Sequence, residues 1–154
     1  MIINNRPLLI TPDTNVLISG ITTVSTPPGQ IIYAWQQGLL EIALSEVMIE
    51  EFRAVLSRPY HMRRTGWTPK KLEMYIQSLY DGAAVVVAGT TPITICRDPN
   101  DNMVFATAFE AKSDCIVSGD KDILAIKSYH GILTISPRNF IEEMSHILKI
   151  SPTS

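Results

Sequence analysis

Apolar residues fall in two patterns along the chain. Leu8–Ile10, Leu40–Leu44, Ala83–Ala88, Cys115–Val117 and Ile132–Ile135 are short apolar stretches without period-two alternation, which predicts strands buried on both faces. Ile93–Cys96 is a further short extended candidate. Between them the apolar spacing turns helical. Val16–Ile18 begins a helix-like segment, the Thr/Ser/Pro/Gly-rich stretch Thr22–Gly29 reads as a loop, and Ile31, Ile32, Trp35 and Leu39 resume near helical spacing.

Helix ends are signalled by cap chemistry. Ser45 suits an N-cap for a helix over 46–57, with Met48, Phe52, Val55 and Leu56 inward and Arg58-Pro59 ending it. Thr68-Pro69 opens a helix over 70–80, with Leu72, Tyr75, Ile76 and Leu79 inward. Gly89-Thr90-Thr91-Pro92 reads as an exposed turn. Asp98-Pro99-Asn100-Asp101 opens a helix to about Lys112, Ser118-Gly119-Asp120 leads into one over 121–127, and Ser136-Pro137 caps a last one through Leu148. Strand and helix alternate, so the fold class is α/β, a parallel sheet with helices on both faces.

Length sets one domain, over 1–148, with 149–154 as a frayed tail: 154 residues bury a core without staples. No apolar run is long enough to span a membrane, and no secretory pattern opens the chain, so a soluble, cytoplasmic protein is expected. Cys96 and Cys115 form no Cys-x-x-Cys and read as free thiols. The net charge of −2 gives no global attraction for nucleic acid. Its distribution says more: no acid lies between Phe52 and Leu72, where Arg53, Arg58, Arg63, Arg64, Lys70 and Lys71 hold six of the thirteen fixed positive charges.

The acids carry the candidate chemistry. Asp13 ends the first strand, where open α/β sheets place ligands, with Asn15 two residues on to orient it or bind water. Its bland alternative is an Asx-turn bonding nearby amides. Helical geometry separates the pair Glu50 and Glu51: Glu51, three after Met48 and four before Val55, faces the core, whereas Glu50 points to solvent. A core-facing carboxylate needs a partner, which an Arg could also supply. Asp98 takes the cap of its helix, leaving Asp101 one turn in and freer to reach a ligand. Asp120 follows a second strand on the same sheet edge, with Asp122 the less certain of that pair; either also suits an N-cap.

Four converging carboxylates repel, so protons or a cation must neutralise them. An all-oxygen donor set suits Mg²⁺ or Mn²⁺. None of His61, His130 or His146 stands at ligand spacing with another His or Cys, which argues against zinc.

These residues resemble the PIN-domain family, and more narrowly its bacterial and archaeal branch of VapC-like toxin components of toxin–antitoxin pairs. The resemblance covers nearly the whole chain and rests on four stretches taken together: Thr11-Pro-Asp-Thr-Asn-Val-Leu; Ser45 to Pro59, with its Glu-Phe and Leu-Ser-Arg-Pro; Arg97-Asp-Pro-Asn-Asp-Asn; and Val117-Ser-Gly-Asp-Lys-Asp-Ile-Leu. It places the family's acidic site on Asp13, Glu51, Asp101 and Asp120, with Asn15, Ser118 and Asp122 as polar neighbours; Ser118 stands where Thr is frequent and keeps the hydroxyl. It implies a three-layer α/β/α fold around a five-stranded parallel sheet, Mg²⁺- or Mn²⁺-dependent ribonuclease activity, a homodimer and a small antitoxin partner. RNA would need a cationic approach to such a site, and the acid-free segment from Arg53 to Lys71, with Trp67 as a stacking face, is the expected one. Two other readings compete. One is an aspartyl-nucleophile phosphatase acting through Asp13, although a second Asp is wanted where Asn15 stands; the other is a non-catalytic RNA-binding or protein-interaction module on the same fold.

Overall fold

The structure, a computed structural model, describes residues 2–3 and 6–148, and side chains over 6–144. The expected tail, 149–154, and the side chain of His146 lie outside these described residues. Two short strands, β1 (Ile2–Ile3) and β2 (Arg6–Pro7), form an antiparallel pair that the apolar pattern did not announce. Then come β3 (Leu9–Pro12), α1 (Thr14–Thr22), α2 (Pro27–Gln36), β4 (Glu41–Ser45), α3 (Glu46–Leu56), α4 (Pro59–Thr65), α5 (Pro69–Gly82) and β5 (Val85–Val87). The chain continues through α6 (Pro99–Ala111), β6 (Cys115–Val117), α7 (Lys121–Ile126), β7 (Ser128–Tyr129), β8 (Ile132–Ile135) and α8 (Pro137–Leu148).

The main sheet has the order β5-β4-β3-β6-β8-β7. Five of its strands are parallel, as expected, and β7 adds a short antiparallel edge against β8. Successive strands β3, β4 and β5 step outward to one side, and the chain then returns to place β6 on the other side of β3. The direction therefore reverses at β3, and right-handed crossovers on either side of such a reversal lay helices on both faces. The core between the layers includes Ile10, Ile42, Leu44, Phe52, Phe105, Ile116 and Val117, all buried.

Several local expectations need correction. The Thr22–Gly29 loop ends earlier, because Pro27 and Pro28 open α2 with Thr26 as its cap. Arg58-Pro59 does end α3, but Pro59 then starts α4, for which the apolar spacing gave no signal because α4 buries no residue. Ile93–Cys96 joins no sheet; the Asn102 side chain holds Cys96 instead, accepting from its N–H at 2.8 Å and donating to its carbonyl at 3.0 Å.

The Gly89 turn is not simply exposed either. Gly89 is buried, with φ +80°, and a Cβ there would stand 2.5 Å from that of Ser45. The amides of Gly89 and Thr91 both donate to the Glu110 carboxylate at 2.9 Å. Burial alone would raise the pKa of Glu110, but these amides outweigh it and hold it below the ordinary value. Beside this turn, buried Ser45 caps α3 through the Met48 N–H and accepts from Thr107 on α6 at 2.7 Å. The starts of α3 and the body of α6 are thereby tied to one point below the sheet edge.

Candidate functional site

The site is built at the reversal point, where β3 and β6 lie side by side in parallel register with Pro12 opposite Val117. One residue further, Asp13 donates its N–H to the Val117 carbonyl at 3.0 Å, which sets Asp13 level with Ser118. Asp13 is 4% exposed and caps α1, with Oδ1 accepting from the Val16 N–H at 2.8 Å. Its Oδ2 accepts from the Ser118 hydroxyl. The two readings of Asp13 are thus compatible: it bonds local amides and also faces the acids of the neighbouring strand.

Burial raises the pKa of Asp13; the Ser118 and Val16 bonds oppose this, and repulsion from Asp120 adds to it. Ser118 itself is fully buried and accepts from the Asp120 N–H at 2.9 Å. It is therefore the link between the ends of β3 and β6. Asp120 caps α7, taking the Asp122 N–H at 2.7 Å, and Asp122 lies in that helix's first turn.

Asp101 comes from α6. This helix leads through Ser113 and Asp114 into the start of β6, so it runs back along the sheet and its first turn lies at the strands' C-terminal ends. Asp98 caps it as expected, accepting from the Asn100 N–H at 2.9 Å, and is exposed. Asp101 is free of that duty and 8% exposed. One carboxylate oxygen from each of Asp101, Asp120 and Asp122 lies within 4.8 Å of the others. Asp101 is pushed up to about 6, first by burial and then by the charges of Asp120, Asp98, Asp122 and Asp13. The same field raises the Cys96 thiol after burial does, so that sulfur stays protonated.

Sequence reasoning placed these acids with two differences. Asp122, expected as a neighbour, stands inside the tight group. Glu51, expected as one of four converging acids, makes no part of that group; it is half-buried, and its partner is neither the other acids nor the alternative Arg but the Thr14 hydroxyl, which donates to Oε2 at 2.9 Å beside Asp13. Glu50 does point outward, and it pairs with Arg53 at 2.6 Å. Asn15 has an exposed side chain, and it is its backbone N–H that acts on Asp13. Arg97, exposed and 3.5 Å from Asp122, stands at the rim of the group, and nothing in its spacing along the chain marks it for that place.

The cationic segment also changes. Arg53 is bound by Glu50 and by Glu73, the latter at 3.0 Å, so it is not available to a phosphate. Trp67 is half-buried with its ring 5.0 Å from that of Tyr75, which makes it packing rather than an open stacking face. Arg58, Arg63, Arg64, Lys70 and Lys71 remain exposed, with no ion pair among the described residues.

The donors suit a hard divalent cation: three carboxylates whose mutual repulsion a cation would relieve, with no His or Cys in the group. Both cysteines are free, as expected. Among the described residues no helix is long and apolar enough to cross a membrane.

Comparison with known proteins bears on the same residues. The chain is 26% identical over 144 residues to an uncharacterized protein of Methanocaldococcus jannaschii, covering 88% of this chain and 91% of that one. Its fold is similar to a chain in the crystal structure of VapBC2 from Rickettsia felis bound to a DNA fragment from their promoter, with a TM-score of 0.54 and 11% identity over 84% of this chain and 98% of that chain. The PIN domain profile matches residues 10–122, a span that begins in β3 and closes on Asp122. With that match running from the first acid of the site to the last, the chain belongs to the PIN domain family.

Proposed function

We propose that this protein is a Mg²⁺- or Mn²⁺-dependent endoribonuclease, the toxin of a toxin–antitoxin pair. The observation that carries the nuclease reading is the convergence of Asp101, Asp120 and Asp122 beside Asp13 at the sheet's reversal point. PIN domains are generally nucleases. The toxin assignment and its small antitoxin partner lean on the likeness to a chain of the VapBC2 structure; the homodimer is proposed from the family resemblance alone.

Asp101, Asp120 and Asp122 would hold the cation, with Asp13 and Glu51 as further acids of the site. When bound, the cation supplies positive charge against the phosphate oxygens, acidifies the attacking water and stabilises the leaving oxygen. Asp101 must give up its proton to act as a ligand, so affinity for the cation is expected to fall as pH drops through about 6. Ser118 passes the position of Asp13 to the Asp120 backbone, which keeps that carboxylate oriented. Thr14 does the same for Glu51.

An aspartyl-nucleophile reading fits this geometry poorly. Both oxygens of Asp13 are already engaged, by Val16 and Ser118, and the residue is buried.

Incubating the purified chain with RNA and Mn²⁺, with EDTA, and alongside Asp13→Asn tests the proposal. Cleavage should require the metal and fall by about a hundredfold or more in the variant. Cleavage that survives EDTA or the substitution would remove the site from the reaction. Co-purification with a small protein whose addition abolishes cleavage is the result expected of a toxin.

A further inference from the structure

We infer that Arg97 is a phosphate contact at the mouth of the acid group, with Asn102 as the positioning residue that holds it there. The inference rests on the ribonuclease reading and adds to it a residue that meets the substrate's backbone. Arg97 lies in the segment between β5 and α6, and its side chain is 90% exposed, 3.5 Å from the Asp122 carboxylate. That is an ion pair without a short hydrogen bond, and an exposed pair of this kind contributes little to the fold. Arg6 and Arg53, by contrast, each close on a carboxylate with two hydrogen bonds. The guanidinium fork of Arg97 has no such partner among the described residues, and its geometry matches the oxygens of a phosphate.

The side chain is free while its backbone is not. Immediately before it, the Asn102 side chain accepts from the Cys96 N–H at 2.8 Å and donates to the Cys96 carbonyl at 3.0 Å, so the peptide that leads into Arg97 is gripped by α6. Immediately after it, Asp98 caps the same helix and Pro99 takes its first position. Asn102 follows Asp101 directly in the chain. One turn of helix therefore supplies a carboxylate to the group and sets the arginine beside it.

Electrostatics gives that placement a use. The charges of Asp120, Asp98, Asp122 and Asp13 all reach Asp101, so a strand of phosphates meets repulsion at this end of the sheet, which a divalent cation offsets only in part. Among the described residues the bond to Asp122 is the one ion pair made to this group, so Arg97 is the positive charge that the fold itself supplies there. It stands on the solvent side of the carboxylates, where a strand arrives first.

Fluorescence anisotropy with a labelled mixed-sequence RNA, on the Mn²⁺-loaded protein carrying Asp13→Asn so that the strand survives, tests this. In that background Arg97→Gln should weaken binding about tenfold and lower the slope of log K against log salt by about 0.7, the loss of one phosphate contact. Arg97→Lys should keep the slope and stay within about threefold, since it keeps the charge and loses only the fork. Calorimetry without RNA should find that Arg97→Gln holds Mn²⁺ at least as tightly as before, because a positive charge beside Asp122 has been removed. Asn102→Ala should weaken RNA binding about fivefold when Arg97 is present and less than about twofold when Arg97 is already Gln, the coupling expected of a residue that acts through another. Unchanged RNA affinity and salt slope in Arg97→Gln, or Mn²⁺ affinity falling in step with RNA affinity, would overturn the phosphate contact. Equal losses from Asn102→Ala in both backgrounds would overturn the positioning role. The two proposals fail separately: these Arg97 effects in a protein that never cleaves RNA defeat only the nuclease reading, and metal-dependent cleavage with indifferent Arg97 variants defeats only this one.

Discussion

Replacing Asp101 with Asn should abolish metal-supported RNA cleavage, by about a hundredfold or more, and at the same time make the metal-free protein more stable at neutral pH. The two effects share a cause. In the metal-free fold the Asp101 carboxyl titrates at about 6 rather than the ordinary 3.8, because burial and then Asp120, Asp98, Asp122 and Asp13 penalise its charged form. Between those values the folded protein holds a proton that the unfolded chain has released. Stability therefore falls as pH rises through that window, and the deficit is complete above it. Asparagine carries no charge to penalise. At pH 7 in EDTA the variant should gain about 1–2 kcal/mol, a figure reduced because solvent screens the repulsion from exposed Asp98 and Asp122. Calorimetry should show this gain shrinking as pH falls to 4 and below, where the folded carboxyl is protonated and the unfolded one regains its proton. A variant less stable than the parent at pH 7 would mean that Asp101 serves the fold and not a ligand.

Phe105→Ala should cost about 3–5 kcal/mol, a large share of the roughly 5–15 kcal/mol that holds a domain of this kind together. Phe105 is fully buried on α6 and meets Tyr129 edge-on at 5.7 Å. It lies one turn after Asp101 on the same helix, so the residue that anchors α6 also fixes where the carboxylate stands. Helix α6 packs over β3, β4, β5 and β6 together, and a cavity there is shared by the whole sheet. Urea unfolding measures the loss, and Mn²⁺ affinity at a temperature where the variant is still folded should fall with it. A cost under about 1 kcal/mol would show that α6 is held by its polar ties, such as Thr107 to Ser45, rather than by its ring.

Much of this arrangement was legible in the residues. Buried parallel strands are nearly uniform in apolarity, so β3, β6 and β8 stood out, and the caps at Ser45, Thr68 and Asp98 use side-chain oxygens that few other contexts favour. The choice of Glu51 over Glu50 followed from helical phase alone, and the structure has Glu51 half-buried and Glu50 exposed. What was not legible depends on contacts between distant residues. Thr14 meeting Glu51, Thr107 meeting Ser45 and Asn102 holding Cys96 are tertiary pairings of ordinary polar residues, with no local spacing to reveal them. Helix α4 escaped because a helix without a buried face has no hydrophobic period. The short edges β1, β2 and β7 are two residues each, below any period. Asp122 was underrated because a first-turn acid ordinarily serves its helix, whereas here the turn aims it at Asp101 and Asp120.

The most direct test of the proposed centre is diffraction at the manganese edge from crystals grown in Mn²⁺. The expected result is an anomalous peak at bonding distance from carboxylate oxygens of Asp101, Asp120 and Asp122, with Asp13 alongside. A manganese ion bound elsewhere, with these three carboxylates left without a ligand at saturating metal, would contradict the account.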